Sequence, residues 1–181
     1  MKNRQSKRAR AQLESTAYHE AGHAVVKHCL HVNVKKVTIV PKDGCLGSVS
    51  GSRATGKHQL DVDNSNRARL KMERDVMGLL AGRIAQRKFN PKSYRHVHGS
   101  HDLHEAIDIL SYFTGSNSEL KAYHHFLNIR TENLINTPMV WTMVQAVAKE
   151  LLLHKTLTGD QVKKAIFNAF PDIKAFADHS R

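Results

Sequence analysis

His19-Glu20-Ala21-Gly22-His23 sets two imidazoles four residues apart, with a carboxylate directly after the first. If the segment is helical, positions i and i+4 share one face, one turn apart. Two imidazoles so placed can reach the same tetrahedral zinc ion, at about 2.0–2.1 Å each. Glu20 then points sideways toward that ion, where a carboxylate takes the proton of a water polarised by the metal and passes it to a leaving amine. Zinc brings the pKa of such a water to about 7, so a weak base suffices. His19 and His23 therefore read as metal ligands and Glu20 as a general base. The chain has 13 histidines, and the competing reading is a helix with two surface histidines. The apolar residues around the motif weigh against it. So does Gly22 in mid-helix, where glycine costs about 1 kcal/mol relative to alanine. A glycine there implies that another segment comes close.

A hydrolytic zinc needs a third protein ligand and an open position. No histidine follows His23 at the offset of the longer H-E-x-x-H-x-x-G-x-x-H pattern. The downstream candidates crowd one stretch: His96, His98, His101, Asp102, His104 and Glu105. Ser100 reads as a helix N-cap, and a carboxylate in a first helical turn is electrostatically favoured. That favours Asp102 and leaves His98 and Glu105 open.

The elements that must position these residues follow from patterning. Gln12 to His31 reads as the first helix. Val34–Val40, β-branched, reads as a strand; Pro41–Gly44 as a turn; Leu46–Ser50 as a returning strand. Leu60 to Phe89 is long and helical, with Leu70, Met77, Leu80, Ala81, Ile84 and Ala85 near helical spacing and a polar start over Asp61–Asn66. Further helices are expected over about 101–113, 118–136, 138–155 with Pro138 in the first turn, and 158–170. The expected fold class is mainly α with a small β-sheet (α+β). Met139, Trp141 and Met143 read as core, and His124 and His125 as solvent-facing.

The 181 residues suit one domain with a real core, read here as residues 13–181. No run approaches the ~20 apolar residues that cross a bilayer, and no apolar signal core follows the basic start. Cys29 and Cys45 read as unpaired thiols, so a reducing cytoplasm is the expected location. The net charge is +12, with Lys2, Arg4, Lys7, Arg8 and Arg10 preceding the first acid, Glu14. Residues 1–12 read as a flexible basic arm that could meet nucleic acid or acidic protein segments. No helix-turn-helix or zinc-finger pattern accompanies it.

Taken in order, AYHEAGHAVV, VKKVTIVPKDG, LGSVSG, LLAGRIAQ, GSHDLHEA and LLLHKTLTGDQV run from about Ala17 to Ala165. This set resembles the peptidase domain of the FtsH-type AAA+ zinc metalloproteases. The resemblance implies a mainly helical metallopeptidase domain with Zn2+ held by His19, His23 and Asp102, and with Glu20 as catalytic base. It also implies a strand edge near Gly44–Gly47 that pairs with an extended polypeptide substrate, a sequence-tolerant mode of binding. Helices equivalent to the 118–155 region contribute to ring assembly in the family, which implies a homo-oligomer.

Three departures stand out. The family carries membrane anchors and an ATPase module ahead of this domain, whereas only residues 1–16 precede the motif and no G-x-x-x-x-G-K-[ST] phosphate loop occurs. The expectation is a domain without its own motor, served by a separate ATPase or adaptor. Gln86 stands where the family usually has a glutamate near the metal, and groups that orient ligands matter by about 10–100-fold. His101 and His104 flank Asp102, each read as a surface group. Two alternatives to a peptidase are a noncatalytic zinc-stabilised interaction module and a nucleic-acid-associated basic protein.

Overall fold

The computed structural model describes residues 2–42, 44–56, 65–93 and 100–170. Helix α1 spans Lys2–Cys29, strand β1 Val34–Thr38, β2 Ser48–Gly51, α2 Asn66–Phe89, α3 Ser100–Ser111, α4 Asn117–Asn136, α5 Pro138–His154, β3 Thr156–Thr158 and α6 Gly159–Asn168. The molecule is mainly α with one small antiparallel sheet, as expected.

Helix α1 begins well before the expected Gln12. Nothing from Lys2 to Ala21 is a glycine or proline, and Ala, Arg, Lys and Gln are strong helix formers. The described part of the expected flexible arm is therefore an extension of the motif helix, exposed over residues 6–12, with an Arg10–Glu14 pair at 3.1 Å. The expected start of the second helix near Leu60 falls outside the described residues. Helix α2 is described from Asn66, where the Ser65 side chain accepts from the Ala68 amide.

The remaining helices carry their own punctuation. Ser116 caps α4, Pro138 occupies the first turn of α5, and Lys155 closes α5 in the left-handed region at φ 62°. Thr158 and Gln161 form a reciprocal capping box on α6.

The sheet has the order β2-β1-β3. Val37 faces Val49 on one side and Leu157 on the other. Strand β3 was not anticipated: three residues between two helices carry too little pattern, and only pairing with β1 makes them a strand. Thr38 Oγ1 and Thr156 Oγ1 lie 2.7 Å apart across that pair.

Helix α1 packs against α2, α5 and β1. Its inner face buries Ala17, Ala21, Ala24, Val25 and Val26 in the core that also holds Met72, Val76, Leu80 and Leu151. Each large aliphatic side chain so buried stabilises the fold by about 1.5–3 kcal/mol. The close approach implied by Gly22 is there: a Cβ on it would lie 2.5 Å from Ala85 Cβ and 2.8 Å from the Ala81 carbonyl oxygen.

Of the three residues expected in the core near the start of α5, Trp141 and Met143 pack against it and Met139 does not. Met139 sits in the first turn of α5, beyond the reach of the neighbouring helices. Trp141 lies over Tyr18, with ring centroids 5.7 Å apart, and carries the Lys88 ammonium at 4.7 Å. Among the described residues no helix is long and apolar enough to cross a membrane.

Candidate metal centre

His19 and His23 sit one turn apart on the face of α1 that meets α2. Their rings reach across to that helix at Gly82. A Cβ there would lie 2.2 Å from His23 Nε2 and 2.7 Å from His19 Nε2, so only glycine leaves room for both imidazoles. Helix α2 also fixes how the rings are turned. His23 Nδ1 lies 2.7 Å from the Gly78 carbonyl oxygen. A carbonyl oxygen only accepts, so Nδ1 carries the hydrogen. His19 Nδ1 lies 3.0 Å from Gln86 Oε1. The orientation of that amide is set at its other end, where Nε2 donates to the Ser93 carbonyl oxygen and to Ser93 Oγ at 3.4 Å each. Gln86 therefore offers His19 an acceptor, and His19 Nδ1 is the donor.

With both Nδ1 atoms protonated, each neutral ring presents a bare Nε2 lone pair on the other side. These two nitrogens are 3.0 Å apart. Asp102, in the first turn of α3, places Oδ2 3.4 Å from each of them. The three groups form a cluster able to hold a metal ion. Three acceptor atoms facing one another repel unless a cation lies between them. Ligands at about 2.0–2.1 Å from a tetrahedral ion are about 3.3–3.4 Å apart, close to the spacing here. The donor set of two imidazoles and one carboxylate suits zinc and leaves a fourth position for water or substrate. Burial acts to raise the Asp102 pKa, while charge on His23 and His19 beside it would hold it well below the usual carboxylate range; with both rings neutral, that lowering falls to a bound cation.

Glu20 is buried beside this cluster, 5% exposed. Burial pushes its carboxyl up to about 7, with His19 lowering it and Asp102 raising it. A divalent cation in the cluster would add a further lowering charge. The carboxylate faces the chain entering β2: a Cβ on Gly47 would lie 2.6 Å from Glu20 Oε1. The strand edge expected near Gly44–Gly47 starts instead at Ser48, with Gly47 just ahead of it beside Glu20. Ahead of it Lys42 and Cys45 exchange two backbone hydrogen bonds of 2.9 Å around the turn at Gly44, φ 81°. Strand β2 is at the edge of the sheet, with β1 on its inner side.

The other candidates separate. Glu105 turns to Arg53. His101 and His104 are exposed, as expected of surface groups. His96 and His98 lie outside the described residues. His125 is exposed, but His124, expected in solvent, is half-buried, and its Nε2 has no hydrogen-bond partner. Helix α4 rotates it toward α2, where burial first, then Arg83 and His125, lower its pKa. Cys29 and Cys45 are both free thiols.

Sequence reasoning singled out Gln86 but missed the other supports on α2. Gly78, Ala81, Gly82 and Ala85 form a small-residue face at four-residue spacing, which is the signal that a second helix lies close there. The Gly78 carbonyl has no sequence signature at all.

The sequence profile of peptidase family M41 matches residues 6–111. The chain is similar to "ATP-dependent zinc metalloprotease FtsH 1" of Alkaliphilus metalliredigens, 26% identical over 181 residues, covering 86% of this chain and 29% of that protein. It is similar to "ATP-dependent zinc metalloprotease FtsH" of Neorickettsia risticii, 25% identical over 197 residues, covering 92% and 30%. Against the FtsH of Haemophilus influenzae the identity is 35% over 100 residues, covering 54% and 15%. The chain thus spans less than a third of the length of these curated relatives.

Proposed function

The chain belongs to peptidase family M41, and from that premise we propose that it is a zinc-dependent endopeptidase acting on unfolded or flexible polypeptide segments. The observation that carries this reading is the convergence of His19 Nε2, His23 Nε2 and Asp102 Oδ2, all within 4.8 Å of one another, beside the buried carboxylate of Glu20.

In this reading His19, His23 and Asp102 hold Zn2+. The bound ion supplies Lewis acidity toward a water and toward the carbonyl of the scissile peptide. Glu20 removes a proton from the attacking water and returns it to the leaving amine. Burial raises the Glu20 carboxyl and a bound cation would lower it again; because the ion also acidifies the water, a weak base suffices for the first transfer. Gln86 and the Gly78 carbonyl keep the two Nδ1 hydrogens occupied, so that both Nε2 lone pairs stay available to the ion. An extended substrate pairs through its backbone with the edge entered at Gly47, which sets its carbonyls beside Glu20 and asks little of its side chains.

The relatives are named ATP-dependent, and by extension a motor delivers unfolded chain to this site. Ring assembly through the helices over 118–155 is proposed on the same footing. Each would relieve the domain of having to open folded substrates itself.

The test is Glu20→Gln. The variant should keep about one zinc per chain and lose cleavage of an unfolded casein-type substrate by about 10²–10⁴-fold, the range general-base catalysis supplies. Unchanged cleavage would reject the mechanism. Wild-type protein that binds one zinc and cleaves no unfolded substrate would instead identify a noncatalytic zinc module.

A further inference from the structure

The two histidines are braced from α2, but Asp102 comes from a different helix, so the shape of the metal site depends on what ties α3 to α2. The segment after β2 makes that tie. Asp75, buried on α2 one turn before Gly78, accepts from the Ala54 amide at 2.6 Å, the Thr55 amide at 3.0 Å and the Thr55 hydroxyl at 2.8 Å. Ser52 is fixed at the other end, donating its amide to the Asn33 carbonyl oxygen at 3.0 Å. Between these anchors the Arg53 guanidinium reaches out to the Glu105 carboxylate of α3. Glu105 lies one turn beyond Asp102.

Among the described residues, α3 is otherwise held, apart from Asp102 itself, by apolar packing: Leu103 and Ala106 pack on the core, as do Ile109 and Leu110 further along. Apolar packing is non-directional. It permits the small rotations about the helix axis that would carry a first-turn carboxylate toward or away from the imidazoles. An ion pair anchored on a backbone locked to α2 opposes such a rotation.

We propose that Arg53 is a positioning residue for the third metal ligand: through Glu105 it sets where Asp102 stands relative to His19 and His23. This rests on the assignment of Asp102 as a ligand. The device makes one body of the peptide-pairing strand, the helix that braces both histidines and the helix that carries the carboxylate.

The experiment measures zinc affinity of the full chain by competition with a chromophoric chelator, for Arg53→Gln, Glu105→Gln and Asp102→Asn singly and in pairs. Arg53→Gln should weaken zinc binding about two- to fivefold, the size expected of one partly exposed ion pair. Glu105→Gln should match it, and the double variant should be no worse than either. The exchange Arg53→Glu with Glu105→Arg should restore the affinity. In an Asp102→Asn background the Arg53→Gln penalty should vanish, which a general loss of stability would not produce. Wild-type affinity for Arg53→Gln, or a penalty that survives in the Asp102→Asn background, overturns the proposal alone. Wild-type affinity for Asp102→Asn itself overturns the ligand assignment, and the proposal with it.

Discussion

The two sides of the metal cluster are built differently. On the α1–α2 side, two histidines one turn apart are held by a backbone carbonyl, a buried amide and a wall of small residues, with side-chain exposures of 12% and 8%. On the α3 side, a single carboxylate with 28% exposure is held by its helix, and that helix by packing and one partly exposed ion pair. The first side is a rigid seat with little freedom to relax. The second has room to adjust. The contrast fits a site in which two ligands define the position of the ion and the third completes the geometry.

If that contrast is right, the largest damage comes from filling the seat. Gly82→Ala would press a methyl group into both imidazoles, so it should abolish stoichiometric zinc binding, as read by metal analysis after gel filtration. Normal zinc content in that variant would mean the rings have far more freedom than described. The next largest effect lies on the other side, in the clasp that anchors the loop to α2. Asp75→Ala leaves the Ala54 amide, the Thr55 amide and the buried Thr55 hydroxyl without their acceptor, a cost of about 1–3 kcal/mol for each buried polar group left unsatisfied. It should lower the melting temperature clearly in chelator-treated protein. An unchanged melting temperature would show that the clasp does not hold the loop.

Gln86→Leu is a subtler probe of the seat. It removes the acceptor from His19 Nδ1 while approximately keeping the volume, and should weaken zinc binding by about 10-fold, the low end for groups that orient a metal ligand. Gln86→Glu should bind zinc more tightly than wild type, because a carboxylate makes the imidazole a better donor. Equal affinities for all three would show that His19 is held by α1 alone. The smallest effect is expected at the periphery: His101→Ala with His104→Ala should leave zinc affinity unchanged, since both side chains face solvent. A marked loss would bring a third imidazole into the cluster.

Much of this was legible in the chain. His19, Glu20 and His23 declare themselves because helical periodicity fixes which side chains share a face. Gly22 announced a close neighbour, and α2 is that neighbour. Helices α5 and α6 begin where Pro138 and Thr158 said they should, because helix starts are local chemistry. The misreadings have local causes too. The basic start has no helix breaker, so α1 runs back to Lys2. Met139 is apolar but sits in the first turn of α5, where no other helix covers it. His124 looked like one more surface histidine until α4 turned it toward α2.

By itself the sequence determined most of the helices and which two imidazoles share a face, since both depend on residue type and on spacing within a turn or two. Only the tertiary structure decided that Asp102 rather than Glu105 faces the imidazoles, that Gln86 and the Gly78 carbonyl set their tautomers, and that Thr156–Thr158 is a strand. Those outcomes depend on distances between segments far apart in the chain. Such distances are set by how helices pack, and no periodicity in the sequence encodes them.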